Sequence, residues 1–69
     1  MKNARLIVAG RREVEFVWTK IEENKWIERF YKLQECGWSL IHKVEFLTEE
    51  AVEGFATQLE ECGFTMTVA

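Results

Sequence analysis

His42 is the only histidine of this 69-residue chain, and Cys36 and Cys62 are its only cysteines. Any chemistry would have to start from these three side chains. As a general base, His42 needs a nucleophile to activate or a carboxylate to hold its ring. The sequence around it suggests neither, so it reads as a histidine at a core edge that finds a hydrogen bond. Two cysteines fall short of the roughly four ligands of a zinc site. His42 also stands six residues from Cys36 along an extended segment, roughly 20 Å away at strand rise. Each cysteine precedes a glycine at what reads as a helix end. There the negative end of the helix dipole opposes a thiolate, so both are expected to be small structural side chains buried in the core. Glu13 and Glu15 are strand neighbours two apart with no implied pocket between them. An anion has no seat either: the helix starts read as Glu22-Glu23 and Thr48-Glu49-Glu50, which repel phosphate, and there is no GxGxxG and no Walker lysine. No catalysis, cofactor or metal is expected.

The elements that would position these residues follow from periodicity. Residues 5–9 read as a strand, Gly10-Arg11-Arg12 as a turn with glycine at positive φ, and residues 13–20 as a second strand. A two-residue loop would put Ile7 on the Phe16 face; a three-residue loop would put Leu6 and Val8 there. Trp26, Ile27, Phe30 and Leu33 keep a three-and-four spacing, which predicts a helix over 22–36. Strand 38–46 follows, then a helix over 48–62 with Thr48 as its N-cap, then strand 64–68. Leu33-Gln-Glu-Cys-Gly-Trp38 and Leu59-Glu-Glu-Cys-Gly-Phe64 read as one device written twice: a helix end, a glycine stop and a strand start.

The expected fold is therefore α+β, a single domain over 1–69. It would be a small two-layer ββαβαβ sandwich, with one four-stranded mixed sheet and two helices on one face, ferredoxin-like in general architecture. Sixty-nine residues bury only about 60% of the unfolded surface, so its core is marginal. The one short apolar run near the start, Leu6 to Ala9, is too short for a signal core or a membrane span. The expected location is the cytosol, or a host's cytosol for a viral chain.

Charge bears on partners. The net charge of −3 divides into nine bases against six acids over residues 1–43, and six glutamates with no base over residues 44–69. The preferred expectation is a non-catalytic protein–protein interaction module that acts by occlusion, an inhibitor or adaptor such as a phage-encoded antagonist of a host nucleic-acid enzyme. Glu49, Glu50, Glu53, Glu60 and Glu61 would steer it to a protein with a basic surface. Val17 and Ile41 would add apolar contact on the bare sheet face, which would also suit a homodimer. One alternative is nucleic-acid binding through Arg11, Arg12, Lys25, Arg29 and Lys32. A pI of about 5.1 weighs against it. Another is a small-molecule regulatory domain that dimerises through its sheet.

Overall fold

Residues 22–36, read above as a helix, are strand and turn in the computed structural model, which describes residues 3–69. β1 (Leu6–Arg11) and β2 (Val14–Glu22) lead into β3 (Lys25–Gln34) and β4 (Gly37–Leu47), with every consecutive pair antiparallel. The stretch that fits a helical stripe also alternates. Trp26, Glu28, Phe30 and Lys32 take one side; Ile27, Arg29, Tyr31 and Leu33 take the other. Aromatic and β-branched side chains suit a pleated surface, and pairing with β2 on one side and β4 on the other settles the choice. The missed turn is Glu23-Asn24. Asn24 has φ 58°, a left-handed conformation that asparagine tolerates better than most residues.

The β1–β2 hairpin adopts the two-residue loop. Arg11 pairs with Val14 and Ala9 with Phe16, so Ile7 shares the Phe16 face. The left-handed residue is Arg12, at φ 52°, and not Gly10, which lies within the strand.

The second expected helix forms close to its predicted bounds, as α1 (Glu49–Glu61). The Thr48 hydroxyl accepts from the Ala51 amide at 3.1 Å. Thr48→Ala is expected to cost about 1 kcal/mol, the usual loss of an N-cap, read as a lower urea midpoint. At the other end Phe64 N donates to Leu59 O and Gly63 N to Glu60 O, both at 3.0 Å. Gly63 has φ 93°. This is a Schellman ending, with Phe64 and Leu59 packed against the same core.

β5 (Thr65–Val68) then pairs antiparallel with β1, giving a five-stranded sheet in the order β4-β3-β2-β1-β5. Thirteen helical residues span about 20 Å, and the outer strands of five lie about 19 Å apart. One helix is therefore long enough to carry the chain from one edge to the other. The mixed, ferredoxin-like sheet with two helices is thus corrected to an antiparallel sheet with one. With 60% strand and 19% helix the chain is mainly β rather than α+β.

α1 covers one face only. Val52 and Ala56 close over Ile7, Ala9, Trp18 and Trp26, all buried, with Phe16, Leu47, Leu59, Phe64 and Met66 around them. Trp26 Nε1 is buried with no acceptor among the described residues. The two edges differ in defence. β5 is four residues long. β4 is long but irregular, with register shifts opposite Phe30/Tyr31 and opposite Trp26/Glu28, and with Phe46 at φ 62°. Short and bulged edges both discourage further strand pairing.

Candidate binding site

Glu28 is the one carboxylate turned onto the apolar, helix-covered side of the sheet at its centre. Its register neighbours are Trp18 on β2 and Val44 on β4. Trp18 Nε1 donates to Oε1 at 2.9 Å, and His42 Nε2 lies 3.2 Å from Oε2. The Glu28 side chain is only 12% exposed. His42 therefore has the carboxylate that the sequence did not reveal. The expected helix over 22–36 hides this signal, since it points Glu28 away from Trp26, Ile27, Phe30 and Leu33. As a strand residue it comes opposite Trp18 and one position diagonal to His42. Ser39, the nearest hydroxyl along β4, is bonded to Gln34 Oε1 at 3.0 Å.

Rings extend on both sides of this node. Phe16 lies 4.6 Å from Phe30, 5.8 Å from Trp18 and 6.0 Å from Phe64, centroid to centroid. Phe30 lies 5.4 Å from His42. α1 does not fill this side of the sheet. A groove of about 240 Å³ remains beside it, lined by Phe16, Trp18, Glu28, Phe55, Gln58 and Leu59. Phe55 stands 43% exposed at its rim. A carboxylate offers about four lone-pair positions. Trp18 and His42 take one each, so Glu28 retains acceptor capacity toward the groove.

The acidic residues of α1 divide. Glu49 is turned inward, its Oε1 3.2 Å from Lys20 Nζ, with both side chains largely covered. The Glu49 amide also donates to Asn24 Oδ1 at 2.9 Å. These two contacts tie the helix start to the sheet. Glu53 is half-buried, and Glu50, Glu60 and Glu61 are exposed. Val17 falls on the opposite side of the sheet from Trp18, the face with no helix. Ile41 is the extra residue of the β4 bulge and is exposed. The acidic helix and the bare sheet face are thus on opposite sides of the molecule and do not make one footprint.

The basic set does not share an edge. On a strand, Lys25 and Arg29 fall on one side and Lys32 on the other. Lys25 pairs with Glu22 at 2.9 Å, and Arg11 Nη1 donates to Cys62 O at 2.9 Å. Arg12 is exposed at the β1–β2 turn. Cys36 and Cys62 are free and exposed, which corrects their placement in the core. Cys36 sits in the β3–β4 turn, and Cys62 caps α1. Among the described residues no group of three or more His, Cys, Asp or Glu is disposed to hold a metal, and no helix is long and apolar enough to cross a membrane.

The fold and groove define a class, a small antiparallel sheet with one covering helix and one uncovered face. Beyond that class, the chain matches no family model, no curated protein and no solved structure.

Proposed function

We propose that the chain is a non-catalytic protein-binding module, acting in the cytosol, that engages a basic partner on its helix side. The partner's apolar side chains would pack at Phe55, and a cationic side chain would enter the groove beside Glu28. The observation that carries this reading is the charge of the last turn of α1. Glu60 and Glu61 lie there with no base, at the helix end where negative charge is unfavourable by about 0.3–1 kcal/mol per residue. Arg11 offsets this through the Cys62 carbonyl, not through either carboxylate. Two glutamates held against the helix dipole, on the helix that walls an apolar groove, fit selection for an external cation better than selection for stability.

This separates binding from stability. Glu60→Lys with Glu61→Lys is expected to raise the urea midpoint while weakening partner capture, because the new cations suit the helix end and repel a basic surface. Phe55→Ala is expected to weaken capture with little change in stability, since the ring is already half in water. The measurement is affinity capture from a lysate of the source cell at low and at high salt, with chemical denaturation alongside. A retained protein that binds both variants as well as wild type would refute the assignment of this surface.

A further inference from the structure

The other face of the sheet has no layer over it, yet it is not a polar face. Among the residues that alternate with buried Ile7, Ala9, Trp18 and Trp26, beside Thr19 and Arg29, are Leu6 and Val8 on β1, Val17 on β2, and Ile27, Tyr31 and Leu33 on β3. Across the ladder, Leu40 pairs with Tyr31 and Trp38 with Leu33. Trp38 is 50% exposed and Leu40 51%. An antiparallel sheet with one face in water normally alternates apolar with polar. Here β3 carries large apolar side chains on both sides, Trp26 and Phe30 on one and Ile27, Tyr31 and Leu33 on the other, as a strand covered on both faces does.

We infer that a second copy of this chain covers this face, so that the protein is a two-fold dimer with its sheets packed together and its helices outermost.

Three observations favour a second copy as the occupant. The first is size. Five strands at about 4.8 Å spacing give a face about 24 Å wide, and the two longest dimensions of the molecule are 36 and 23 Å. Such a face can supply the about 800 Å² per partner of a standard interface. The second is charge balance. The face carries Glu15, Arg29, Lys43 and Glu45, with Lys25 and Glu22 at its end; Lys43 and Glu45 pair within the chain at 3.1 Å, and Lys25 and Glu22 at 2.9 Å. Glu15 and Arg29 remain, one of each sign, both half-buried among apolar neighbours. The third is placement. Glu15 pairs with Tyr31, and Val17 with Arg29, so these four residues form a rectangle with Glu15 and Arg29 on one diagonal. A two-fold axis lying in the interface and crossing the Glu15–Arg29 diagonal at right angles at its midpoint, close to the line from Val17 to Tyr31, sets Glu15 of each copy over Arg29 of its partner. A two-fold interface requires this self-complementarity, in which i meets j and j meets i. A foreign partner does not require it.

The inference stands apart from the proposed groove function, since the two surfaces are on opposite sides of the sheet. Light scattering after gel filtration at high protein concentration is expected to give twice the chain mass of 8.2 kDa. Glu15→Arg alone and Arg29→Glu alone place like charges face to face and are each expected to give monomers. Mixed in equal amounts, the two variants are expected to recover the dimer. The native Glu15 of one chain then meets the native Arg29 of the other, and the introduced arginine meets the introduced glutamate. Damage to folding cannot produce that recovery. Far-UV circular dichroism of each variant shows that its sheet is intact, and Leu40→Asp, at a more exposed position, provides a second disrupting change. A monomeric wild type overturns the inference, whether or not another protein is captured on this face. So does a dimer that survives all three changes, as pairing through the β4 edge would. So does a pair of monomeric charge variants that remain monomeric when mixed.

Discussion

Trp18→Ala is expected to leave the chain unfolded at room temperature, seen as a denatured-state circular dichroism spectrum without urea. Trp18 is fully buried between α1 and the sheet, against Ile7 across the ladder and stacked with Phe16. Truncating a buried large aromatic side chain costs about 3–5 kcal/mol. Here a second loss adds to it. The indole N–H is one of the two hydrogen-bond partners of Glu28, and depriving a covered carboxylate of a donor costs about 1–3 kcal/mol more. A chain of this length has about 3–10 kcal/mol of total stability, so the two losses together consume most or all of it. Trp18→Phe separates the terms by keeping most of the ring and removing the donor. It is expected to fold, with a lower urea midpoint. Trp26→Phe provides the comparison, because Trp26 is equally buried but its N–H has no acceptor among the described residues. The same substitution there removes no hydrogen bond and should cost less. Equal midpoints for the two phenylalanine variants would mean that the Trp18–Glu28 bond contributes nothing to stability.

The contrast between these tryptophans also shows which parts of the fold were legible in advance. Local signals that do not depend on a partner are legible: Thr48 as a cap, Glu49 and Glu50 in the first helical turn, Gly63 as a stop, and a strand through residues 14–20. The segment at 22–36 failed because its apolar residues satisfy two periods at once, and only tertiary pairing separates them. A strand with large apolar side chains on both faces has no clean alternation to read. The site failed with the segment. On a helix Glu28 and Lys32 would be ion-pair neighbours one turn apart; on the strand both lie on the helix-covered side, Glu28 beneath the groove and Lys32 opposite Val14. Of the uncovered face, Val17 was legible in the sequence. Tyr31, Leu33 and Arg29 could not be assigned to it while they were placed on a helix.

If the sheets pack as inferred, the proposed function gains a consequence. Both grooves face outward on opposite sides of the dimer, so one dimer can hold two copies of a basic partner, or two sites on one large partner. In the second case the later contact is intramolecular and avidity exceeds either single affinity. Phe55→Ala and Glu15→Arg would then weaken capture for different reasons. The first removes a contact on the groove side; the second leaves each groove intact and removes its duplicate.

Gly37→Val and Gly63→Val are each expected to cost at least about 1–2 kcal/mol in stability, and the pair of glycines resolves what the two Glu-Cys-Gly segments share. Their backbones sit at φ 111° and 93°, outside what a β-branched residue adopts without strain. A Cβ at either position meets no atom within 4 Å. The penalty is therefore conformational and not steric crowding, and Gly→Asn, which tolerates positive φ better, should recover part of it at both sites. The consequences then diverge. Gly37 opens β4 directly after a two-residue turn and pairs with Gln34, so strain there acts on the β3–β4 hairpin and the Trp38 end of the bare face. Gly63 completes the Schellman ending that aims Phe64 into the core and β5 onto β1, so strain there acts on helix docking and on the last strand. Amide hydrogen exchange distinguishes them. Gly37→Val is expected to raise exchange first in Leu33 to Leu40, and Gly63→Val first in β5 and the facing amides of β1. The repeated hexapeptide thus encodes one left-handed glycine after Glu-Cys, and the partners on either side decide whether it ends a helix or turns a hairpin.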